Sequence, residues 1–399
     1  MIFLSPGSVW AAGPLAGPRC ADRSKTHAAD DQPREPGAGR VEGGAGGRSW
    51  DRRRQRRASL AQYKPDGLTA RRDGHWWALA GVLALWVCLA QPASAAACPG
   101  PVLTFKPAGP GVWWVPGQMG EADAGNRGQV SNLLLVRHAA GRRAGLWALG
   151  SGPSAAFGEA LTCQARRQLG LPLAAVISPW ARPELVLGVA GLQVGQPGLP
   201  HWAHASVADA MAEQCPHCVD RLRLRLGPAA TDLGDDPIRL PTRRLRGEQG
   251  QLGPFVWWRL ARAEGRWVTV WRLRHQPVWA AHGLMTADSP PDGRDADLLL
   301  LAHSLDRLAA LAQPDGPAAR FLGEQGAWLA AAAPARQAAY WRAIRAAAAA
   351  AIERGDEEAA AAPPLPGWPA AWAQHPWHGF NWQRAWRQVE PEVLAAPGR

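Results

Sequence analysis

The sequence predicts a layered α/β protein in which β-sheets pack against helices. After Cys98, short apolar runs of strand-like composition alternate with longer runs of helical spacing, which favours mixed layers of sheet and helix. Hydrophobic residues make up 47% and charged residues 19% of the 399 positions, so the chain has enough apolar material for a large core. Residues 295–311 carry leucines at intervals of three and four residues, which is typical of an amphipathic helix.

The first half of this region is predicted to begin with strands and to continue through alternating helices and strands. The strands are runs of aliphatic residues and Trp bounded by Gly or charged turns, and Ser154 opens the first helix. In chain order, we expect strands over residues 112–115, 130–136 and 145–149, a helix over 155–169, a strand over 173–178, a short helix from about Glu184, a strand over 201–205, and a helix over 206–226 interrupted at Pro216.

The second half is also predicted to contain strands followed by helices, and it ends in helices. In chain order, we expect strands over residues 255–260, 268–273 and 278–281, the amphipathic helix over 295–311, a strand over 320–322, a long helix over 335–354, a Pro-rich linker over 359–369, and a final aromatic helix around 381–388. Residues 98–330 therefore form the predicted layered domain, and residues 331–399 a helical, Trp-rich C-terminal extension.

The first 75 residues differ from the rest in composition. They are rich in Gly, Pro, Arg and Asp, and they include the basic run RSWDRRRQRR at positions 48–57. Such a segment cannot bury enough apolar surface to order itself, so we expect a disordered basic extension. An over-extended gene model, with true initiation near Leu68, is an alternative for residues 1–67.

Residues 76–97 are predicted to be a secretory signal peptide. An apolar run of about 15 residues follows Arg71 and Arg72 and ends in an Ala-x-Ala cleavage site before Cys98. The run is too short to span a bilayer comfortably. Because Ala95 stands where a lipoprotein signal has a larger aliphatic residue, we expect Sec export without lipidation. The protein is therefore predicted to be periplasmic or secreted, with membrane contact only through residues 71–97.

The basic charge of the chain lies largely in its N-terminal extension. The whole chain has a formal net charge of +11, but the first 75 residues hold 14 basic and 8 acidic residues, which leaves +5 for the remainder. This balance is ordinary, so nucleic acid is not an expected partner.

Several ordered segments resemble a known family. In chain order they are VSNLLLV (130–136), LWALGSGPS (146–154), AAVISPWARPELVLG (174–188), VTVWRL (268–273), PVWAAHGLM (277–285), SLDRLAAL (304–311) and RFLGEQG (320–326). Their succession over about residues 110–326 resembles the metallo-β-lactamase superfamily, and within it the exported hydrolases associated with quinoprotein relay systems. The resemblance implies a four-layer αββα sandwich and hydrolysis by a hydroxide on one or two zinc ions.

Compared position by position, the chain departs from the zinc-binding pattern of that superfamily at every ligand. The three His of the H-x-H-x-D-H turn fall on Trp180, Arg182 and Leu185, its Asp on Glu184, a later Asp on Gly283, the last His on Gln325, the isolated His near Ala263, and the early Asp on Gly150. Trp and Leu cannot ligate a metal, and Arg brings a fixed positive charge. We therefore expect the zinc site to be lost and no cofactor to be bound.

Two alternatives remain for the turns around this lost site. Glu184, His282, Glu324 and Gln325 are predicted to face the cleft, where they could form a different metal site. In the other interpretation, Arg182 pairs with Glu184 or Glu324, and Trp180 fills the space that the metal left. We favour the second, because four ligands in proper geometry are a demanding requirement.

Four cysteines lie in the predicted exported part: Cys98, Cys163, Cys215 and Cys218. An even number in an oxidising compartment predicts disulfides, and the motif CPHC favours a structural Cys215–Cys218 bond. The alternatives are free thiols, a redox pair with Cys215 at a helix N-cap and Pro216 at the first helical position, and a zinc knot formed with His201 and His204.

Tryptophan is unusually frequent, with 22 Trp against 2 Tyr. Alternation along the strands favours core packing, whereas aromatic grooves bind sugars and flat cofactors such as quinones. The tail segment at positions 378–392 combines Trp with Arg, so it is the strongest candidate for a partner or ligand surface.

The leading functional hypothesis is an exported protein of metallo-β-lactamase fold that has lost its hydrolytic zinc site. By analogy with the family, it would be a binding or accessory protein, with a periplasmic quinoprotein or a small molecule as partner. The alternatives are a metal-dependent hydrolase with a re-formed metal site and a thiol-disulfide protein that uses Cys215 and Cys218.

Overall fold

A computed structural model describes residues 97–140, 143–358 and 361–395 of the chain. The predicted basic extension and the predicted signal peptide up to residue 96 lie outside the described residues, so both stay predictions. No helix in the described ranges is long and apolar enough to cross a membrane.

The structure contains β-strands and α-helices in alternation, as the sequence predicts. The strands are β1 (Lys106–Gly109), β2 (Val112–Val115), β3 (Leu133–Ala140), β4 (Arg143–Leu149), β5 (Leu173–Ser178), β6 (His201–His204), β7 (Arg243–Leu245), β8 (Gln249–Leu252), β9 (Phe255–Ala263), β10 (Arg266–Leu273), β11 (Val278–Ala280), β12 (Arg320–Leu322) and β13 (Leu329–Ala330). The helices are α1 (Ala155–Leu169), α2 (Pro183–Val186), α3 (Val189–Gly195), α4 (Ala205–Leu226), α5 (Leu298–Ala312), α6 (Ala333–Glu353) and α7 (Pro376–Ala395).

The strands form two sheets. The first holds β1 to β7 side by side in chain order, and the second has the order β13-β12-β11-β10-β9-β8. In the first sheet, β1 to β4 pair antiparallel, whereas β4 to β7 pair parallel. Parallel neighbours need a crossover connection, and α1 to α4 supply these connections.

Three buried clusters show how the layers stack. One joins the first sheet to α1–α4 through residues such as Leu161 and Met211, and a second joins the other sheet to α5–α7 through residues such as Leu305 and Trp341. The third lies between the sheets and includes Leu134, Ile177, Phe255, Trp271 and Leu322. The fold is therefore the four-layer αββα sandwich that the sequence predicts, with a helical C-terminal part on the second sheet.

Local sequence signals fix the two best-predicted helices. The Ser154 hydroxyl accepts from the Phe157 amide at the start of α1, and Gly170 ends this helix in the left-handed conformation with φ 69°. At the start of α5, the Asp297 carboxylate accepts hydrogen bonds from the backbone amides of Leu299 and Leu300. Each side chain satisfies backbone donors that the first helical turn leaves unpaired.

All four edge strands of the two sheets were missing from the sequence prediction. They are β1 and β7 in the first sheet and β8 and β13 in the second. Each is two to four residues long with mostly exposed or half-buried side chains, so it carries no clear apolar alternation. An edge strand has one neighbour only, and its pairing depends on that neighbour more than on its own sequence.

The predicted interruption of a helix at Pro216 is wrong. Helix α4 runs without a break from Ala205 to Leu226, with Pro216 exposed near its middle. Its buried stripe of Met211, Cys215, Val219 and Leu222 packs against the first sheet. This packing offsets the backbone hydrogen bond that proline removes.

Candidate functional site

The turn between β5 and α2 is fixed to both sheets. Its strand belongs to the first sheet, but the Pro179 carbonyl accepts from the Thr269 amide at 2.9 Å and from the Thr269 hydroxyl at 3.0 Å, and Thr269 belongs to the second. Pro183 then starts α2, where its missing N–H costs nothing. The side chains of the turn are therefore held at a defined place between the layers.

The guanidinium of Arg182 lies among three buried carboxylates. Its Nε is 3.3 Å from Glu184 Oε2 and 3.4 Å from Glu324 Oε1, and its Nη1 is 3.3 Å from Asp292 Oδ2. The contacts to the two Glu are ion pairs without hydrogen-bond geometry, because Glu184 Oε2 and Glu324 Oε1 accept no hydrogen bond from the protein. We call Arg182, Glu184, Asp292 and Glu324 the arginine–carboxylate cluster.

The pKa values of the cluster follow from burial and mutual attraction. Burial lowers the pKa of Arg182, but attraction to Glu324, Glu184 and Asp292 raises it well above its usual range. Burial raises the pKa of Asp292, yet the neighbouring Arg182 and Arg294 hold it far below its usual range. Burial raises the pKa of Glu324 above its usual value despite the attraction of Arg182. Arg182 is therefore a permanent cation.

A second arginine, Arg262 of β9, lies beside the cluster. It donates to the backbone carbonyls of Gly283, Asp292 and Arg294, the last two at 2.7 and 2.9 Å. The Trp180 ring contacts both guanidinium groups, with the Cζ of Arg262 at 4.6 Å and that of Arg182 at 5.0 Å from its centroid. Trp180 thus supplies a cation–π surface at a position that the sequence resemblance aligned with a zinc-ligating His.

Further ion pairs connect the cluster to the surface and to α7. Arg294 bonds Asp292 through two nitrogens, at 3.0 and 2.8 Å, and Glu121 at 2.8 Å. Glu121 also pairs with Arg225 of α4 at 2.9 Å and accepts from the Trp377 indole at 2.8 Å. The charges of the centre are thus balanced through a chain of arginines and carboxylates.

The other positions that the sequence comparison aligned with zinc ligands are occupied by packing groups. Leu185 is fully buried in the core of the first sheet. Gly283 adopts a φ of 77°, and a Cβ there would lie 2.8 Å from the Trp180 ring. Gly150 has a φ of 83°, and a Cβ there would meet Leu133 at 2.5 Å. Side chains larger than Gly have no room at these two positions.

Gln325 and His282 are committed to backbone partners. The Gln325 amide donates to the Gly120 carbonyl at 2.9 Å and accepts from the Gly120 amide at 3.2 Å. His282 is fully buried, its Nε2 lies 2.8 Å from the Asn132 carbonyl, and burial lowers its pKa to about 4. His282 is therefore neutral at pH 7 and serves to join the two sheets.

The zinc centre implied by the fold does not fit these residues. Two of the ligand positions of the turn carry side chains without a lone pair for a metal, and a third carries a guanidinium. Within the described ranges, no group of three or more His, Cys, Asp or Glu side chains is placed to hold a metal ion. The structure therefore does not bring Glu184, Glu324, His282 and Gln325 together as a metal-binding group.

An open cleft of about 430 Å³ leads from the surface to Trp180 and Arg182. Its floor is the turn from Trp180 to Glu184, its walls are α4 and α7, and the β9–β10 hairpin closes one side. Eight arginines and two acidic residues line it: Arg182, Arg221, Arg225, Arg262, Arg266, Arg294, Arg384 and Arg387 against Glu184 and Asp295. We call it the arginine cleft.

Sequence reasoning missed Arg262, Asp292 and Arg294. Arg262 is next to Ala263, the position compared with the isolated His, and it is 3% exposed. A charged residue at a buried phase of the alternating strand β9 was the available signal. Asp292 and Arg294 lie in an irregular segment before α5, where no periodic pattern marks a residue as buried.

The structure contains a disulfide, as the even number of cysteines predicts, but the favoured Cys215–Cys218 bond is wrong. Cys98 and Cys163 form a disulfide, whereas Cys215 and Cys218 are free thiols inside α4. Because Pro216 lies in the middle of this helix, Cys215 is not at an N-cap and receives no help from the helix dipole. Burial raises the pKa of Cys215 to about 12, which is the opposite of an activated thiol.

The zinc-knot alternative is not assembled either. His201 Nε2 lies 2.8 Å from the Ser178 hydroxyl, and His204 bonds the Ser206 hydroxyl and the Gly247 carbonyl through its two ring nitrogens. Burial lowers the pKa of both imidazoles, that of His201 to about 4. These residues support the strand-to-helix junction rather than a metal.

One face of the Trp-rich tail helix is buried in the core, and the other lines the arginine cleft. On α7, Trp382, Ala385 and Trp386 are buried against the second sheet and its helices. The opposite face presents Phe380, Gln383, Arg384 and Arg387 to the arginine cleft. The tail therefore contributes a wall to the cleft, and most of its Trp residues are core.

Comparisons with known proteins find similar solved structures, but no similar family or curated sequence. No family model matches the chain, and no curated protein is significantly similar to it. Solved structures similar to it include a metallo-β-lactamase from Pontibacter korlensis (14% identity, TM-score 0.46, covering 60% of this chain and 99% of that one) and one from Hirschia baltica (14%, 0.46, 60% and 97%). Another is the metallo-β-lactamase FIM-1 from Pseudomonas aeruginosa in its mono-zinc form (18%, 0.46, 61% and 98%).

Proposed function

We propose that this protein is an exported, non-catalytic binding protein in which an arginine replaces the hydrolytic metal. The observation that carries the proposal is the position of Arg182, whose guanidinium is within 3.4 Å of three buried carboxylates at the turn where the family holds zinc. A guanidinium offsets part of the carboxylate charge, but it cannot bind and ionise a water molecule as zinc does. In this proposal the arginine–carboxylate cluster is stable but supplies no metal-bound hydroxide as a nucleophile.

Metal analysis and hydrolysis assays test this proposal together. We expect the purified protein to contain zinc far below one equivalent after dialysis, and to hydrolyse neither a chromogenic lactam nor a chromogenic ester in a chelator-sensitive manner. Stoichiometric zinc that is lost in Glu184→Ala or His282→Ala would overturn the proposal. Chelator-sensitive hydrolysis would do the same.

The proposal of export is supported by the disulfide between Cys98 and Cys163, because such bonds persist in oxidising compartments. A lipoprotein signal would place a thioether on the sulfur of Cys98, and that sulfur is already used in the disulfide. N-terminal sequencing of protein from a periplasmic fraction tests this point, with Cys98 as the expected first residue. A mature chain that begins at Met1 would contradict it.

The proposed partner is a periplasmic quinoprotein. The support is the resemblance of residues 110–326 to the exported relay proteins, so the step is an analogy between families. We expect the purified protein to co-elute with a purified quinoprotein dehydrogenase in size-exclusion chromatography at concentrations of about 10–100 μM. Separate elution across that range would refute the partnership, but it would not bear on the proposal that the protein is non-catalytic.

A further inference from the structure

The arginine cleft combines a suitable size with an excess of positive charge. A volume of about 430 Å³ is within the range of small-molecule sites. Guanidinium groups collected in one concave site repel each other and raise the local concentration of anions. Most of the deep arginines, such as Arg182 and Arg294, have carboxylate partners, so the excess lies towards the mouth of the cleft.

Apart from Arg262, which donates to backbone carbonyls, three cleft arginines have no carboxylate partner among the residues that the structure describes. Arg266 begins β10 and is exposed, and Arg221 contacts only the Cys218 sulfur, at 3.3 Å. Arg384 donates its Nε to the Ala296 carbonyl at 2.9 Å, which leaves its two terminal nitrogens free. These residues come from three different elements, α4, β10 and α7, and all three line the same cleft.

The wall formed by α7 is held rigidly in place. Asn381 donates to the Pro291 carbonyl at 2.7 Å and accepts from the Gly293 amide at 3.0 Å, and the Trp377 indole is bonded to Glu121. These contacts fix the rotation of the helix about its axis. Phe380, Gln383, Arg384 and Arg387 follow the three- and four-residue spacing of one helical face, and that face points to the cleft.

Aromatic surfaces accompany the arginines. Trp267 and Phe380 line the cleft, and the Phe380 side chain is 48% exposed. At the floor, the Trp180 ring contacts two guanidinium groups. A ligand with an organic frame and separate anionic groups would use both features, because it would stack on the rings and accept paired hydrogen bonds from the guanidiniums.

We infer that the arginine cleft is a binding site for a small organic molecule with at least two anionic groups, carboxylate or phosphate. The inference rests on the proposed binding function and names the class of its ligand. Arg182 and Arg262 form the floor of the site, and Arg221, Arg266 and Arg384 supply the unpaired cations that contact the ligand.

Isothermal titration of the full chain with citrate and with pyrophosphate tests the inference, with triethyl citrate as the neutral control. We expect one site with a Kd below about 1 mM at low salt, weaker binding as salt rises, and no binding of the ester. Binding of citrate alone assigns carboxylates, binding of pyrophosphate alone assigns phosphates, and binding of both supports the shared chemistry. Failure of both anions to bind would overturn the inference.

Charge-removing variants show whether the bound anion lies in the cleft. Arg266→Gln and Arg221→Gln should each weaken binding of the stronger probe by about tenfold, because each removes a charge-assisted contact. Arg243→Gln is the matched control, since Arg243 is exposed on β7 and does not line the cleft. Equal weakening in all three variants, or in none, would place the anion elsewhere and overturn the inference.

The two proposals fail in different experiments. Stoichiometric zinc or chelator-sensitive hydrolysis refutes the non-catalytic function whatever the titrations give. Absence of anion binding in a protein that is also free of zinc and of hydrolytic activity refutes only the assignment of the ligand class.

Discussion

Replacing Arg182 by Met should strongly destabilise the protein. The substitution keeps an unbranched side chain in the same space but leaves Glu184, Asp292 and Glu324 without their shared cation. At an effective dielectric constant of about 20, an ion pair of this length carries roughly 5 kcal/mol of attraction, most of it offset by the desolvation of the two charges. Removal of one partner from a buried pair costs about 3–5 kcal/mol, which is the expected loss in the free energy of unfolding.

Urea unfolding followed by Trp fluorescence at pH 7 would measure this loss, and far-UV circular dichroism would confirm that the variant is folded. A loss of about 3–5 kcal/mol corresponds to a fall in melting temperature of about 6–10 °C for a domain of this size. Arg243→Met is the control, because Arg243 is exposed and outside the cluster, and it should change stability by less than about 0.5 kcal/mol.

A second substitution tests the cause of the effect. The double variant Arg182→Met with Glu324→Gln removes one of the carboxylates that has lost its cation. Its free energy of unfolding should therefore be about 1–2 kcal/mol higher than that of Arg182→Met alone. The reasoning is refuted if Arg182→Met is as stable as the unchanged protein, or if the two substitutions are additive. The first result would mean that the ion pairs of Arg182 contribute no net stability, and the second that Arg182 and Glu324 are not energetically coupled.

Three further outcomes follow from other contacts. Gly283→Asp places a carboxylate at a position that the sequence resemblance aligned with a zinc ligand. It should cost about 2–4 kcal/mol in urea unfolding and bind no zinc, because its Cβ would lie 2.8 Å from Trp180. Normal stability with zinc uptake would contradict this expectation. Burial raises the pKa of Asp292, but the neighbouring guanidiniums lower it more, so its folded-state pKa is far below the ~3.9 of an unfolded chain. The stability that the ionised Asp292 contributes is therefore present above about pH 4 and is lost as the pH falls further. Asp292→Asn should therefore show a smaller loss of stability below pH 4, and an unchanged slope would contradict the assignment. Reduction of the Cys98–Cys163 bond, which closes a loop of 65 residues, should cost about 4 kcal/mol in calorimetry, and no change would contradict the pairing.

The central strands and longer helices were predictable because their sequences carry the physical signal themselves. Strands β9 and β10 alternate between the two faces of a sheet, and α5 carries leucines at helical spacing with Asp297 as its cap. The edge strands could not be found in this way, because they are short and polar and are stabilised by one neighbour. The bounds of α7 were underestimated because its buried face of Trp, Asn and His does not stand out as apolar.

The site was predictable in part. The pairing of Arg182 with Glu184 or Glu324 was expected from residue chemistry, and the structure contains both contacts. Trp180 was expected in the same turn, and its ring lies against the Arg182 guanidinium. The contribution of Asp292 could not be expected, because it depends on a fold-level contact across 110 positions of the sequence. The pairing of Cys98 with Cys163 is of the same kind, since the bond joins residues 65 positions apart.

The contacts of Arg182 and Thr269 explain how the turn at Trp180 is held in place. Arg182 contacts three carboxylates, and the neighbouring Arg262 and Arg294 supply the further positive charge that a buried acidic site needs. The backbone is fixed independently, because Thr269 holds Pro179 across the two sheets. A metal ion offers an open coordination position to water, whereas a guanidinium offers only donors in one plane. Under the proposed binding function, the arginines of the cleft above this turn are the groups that would contact the ligand.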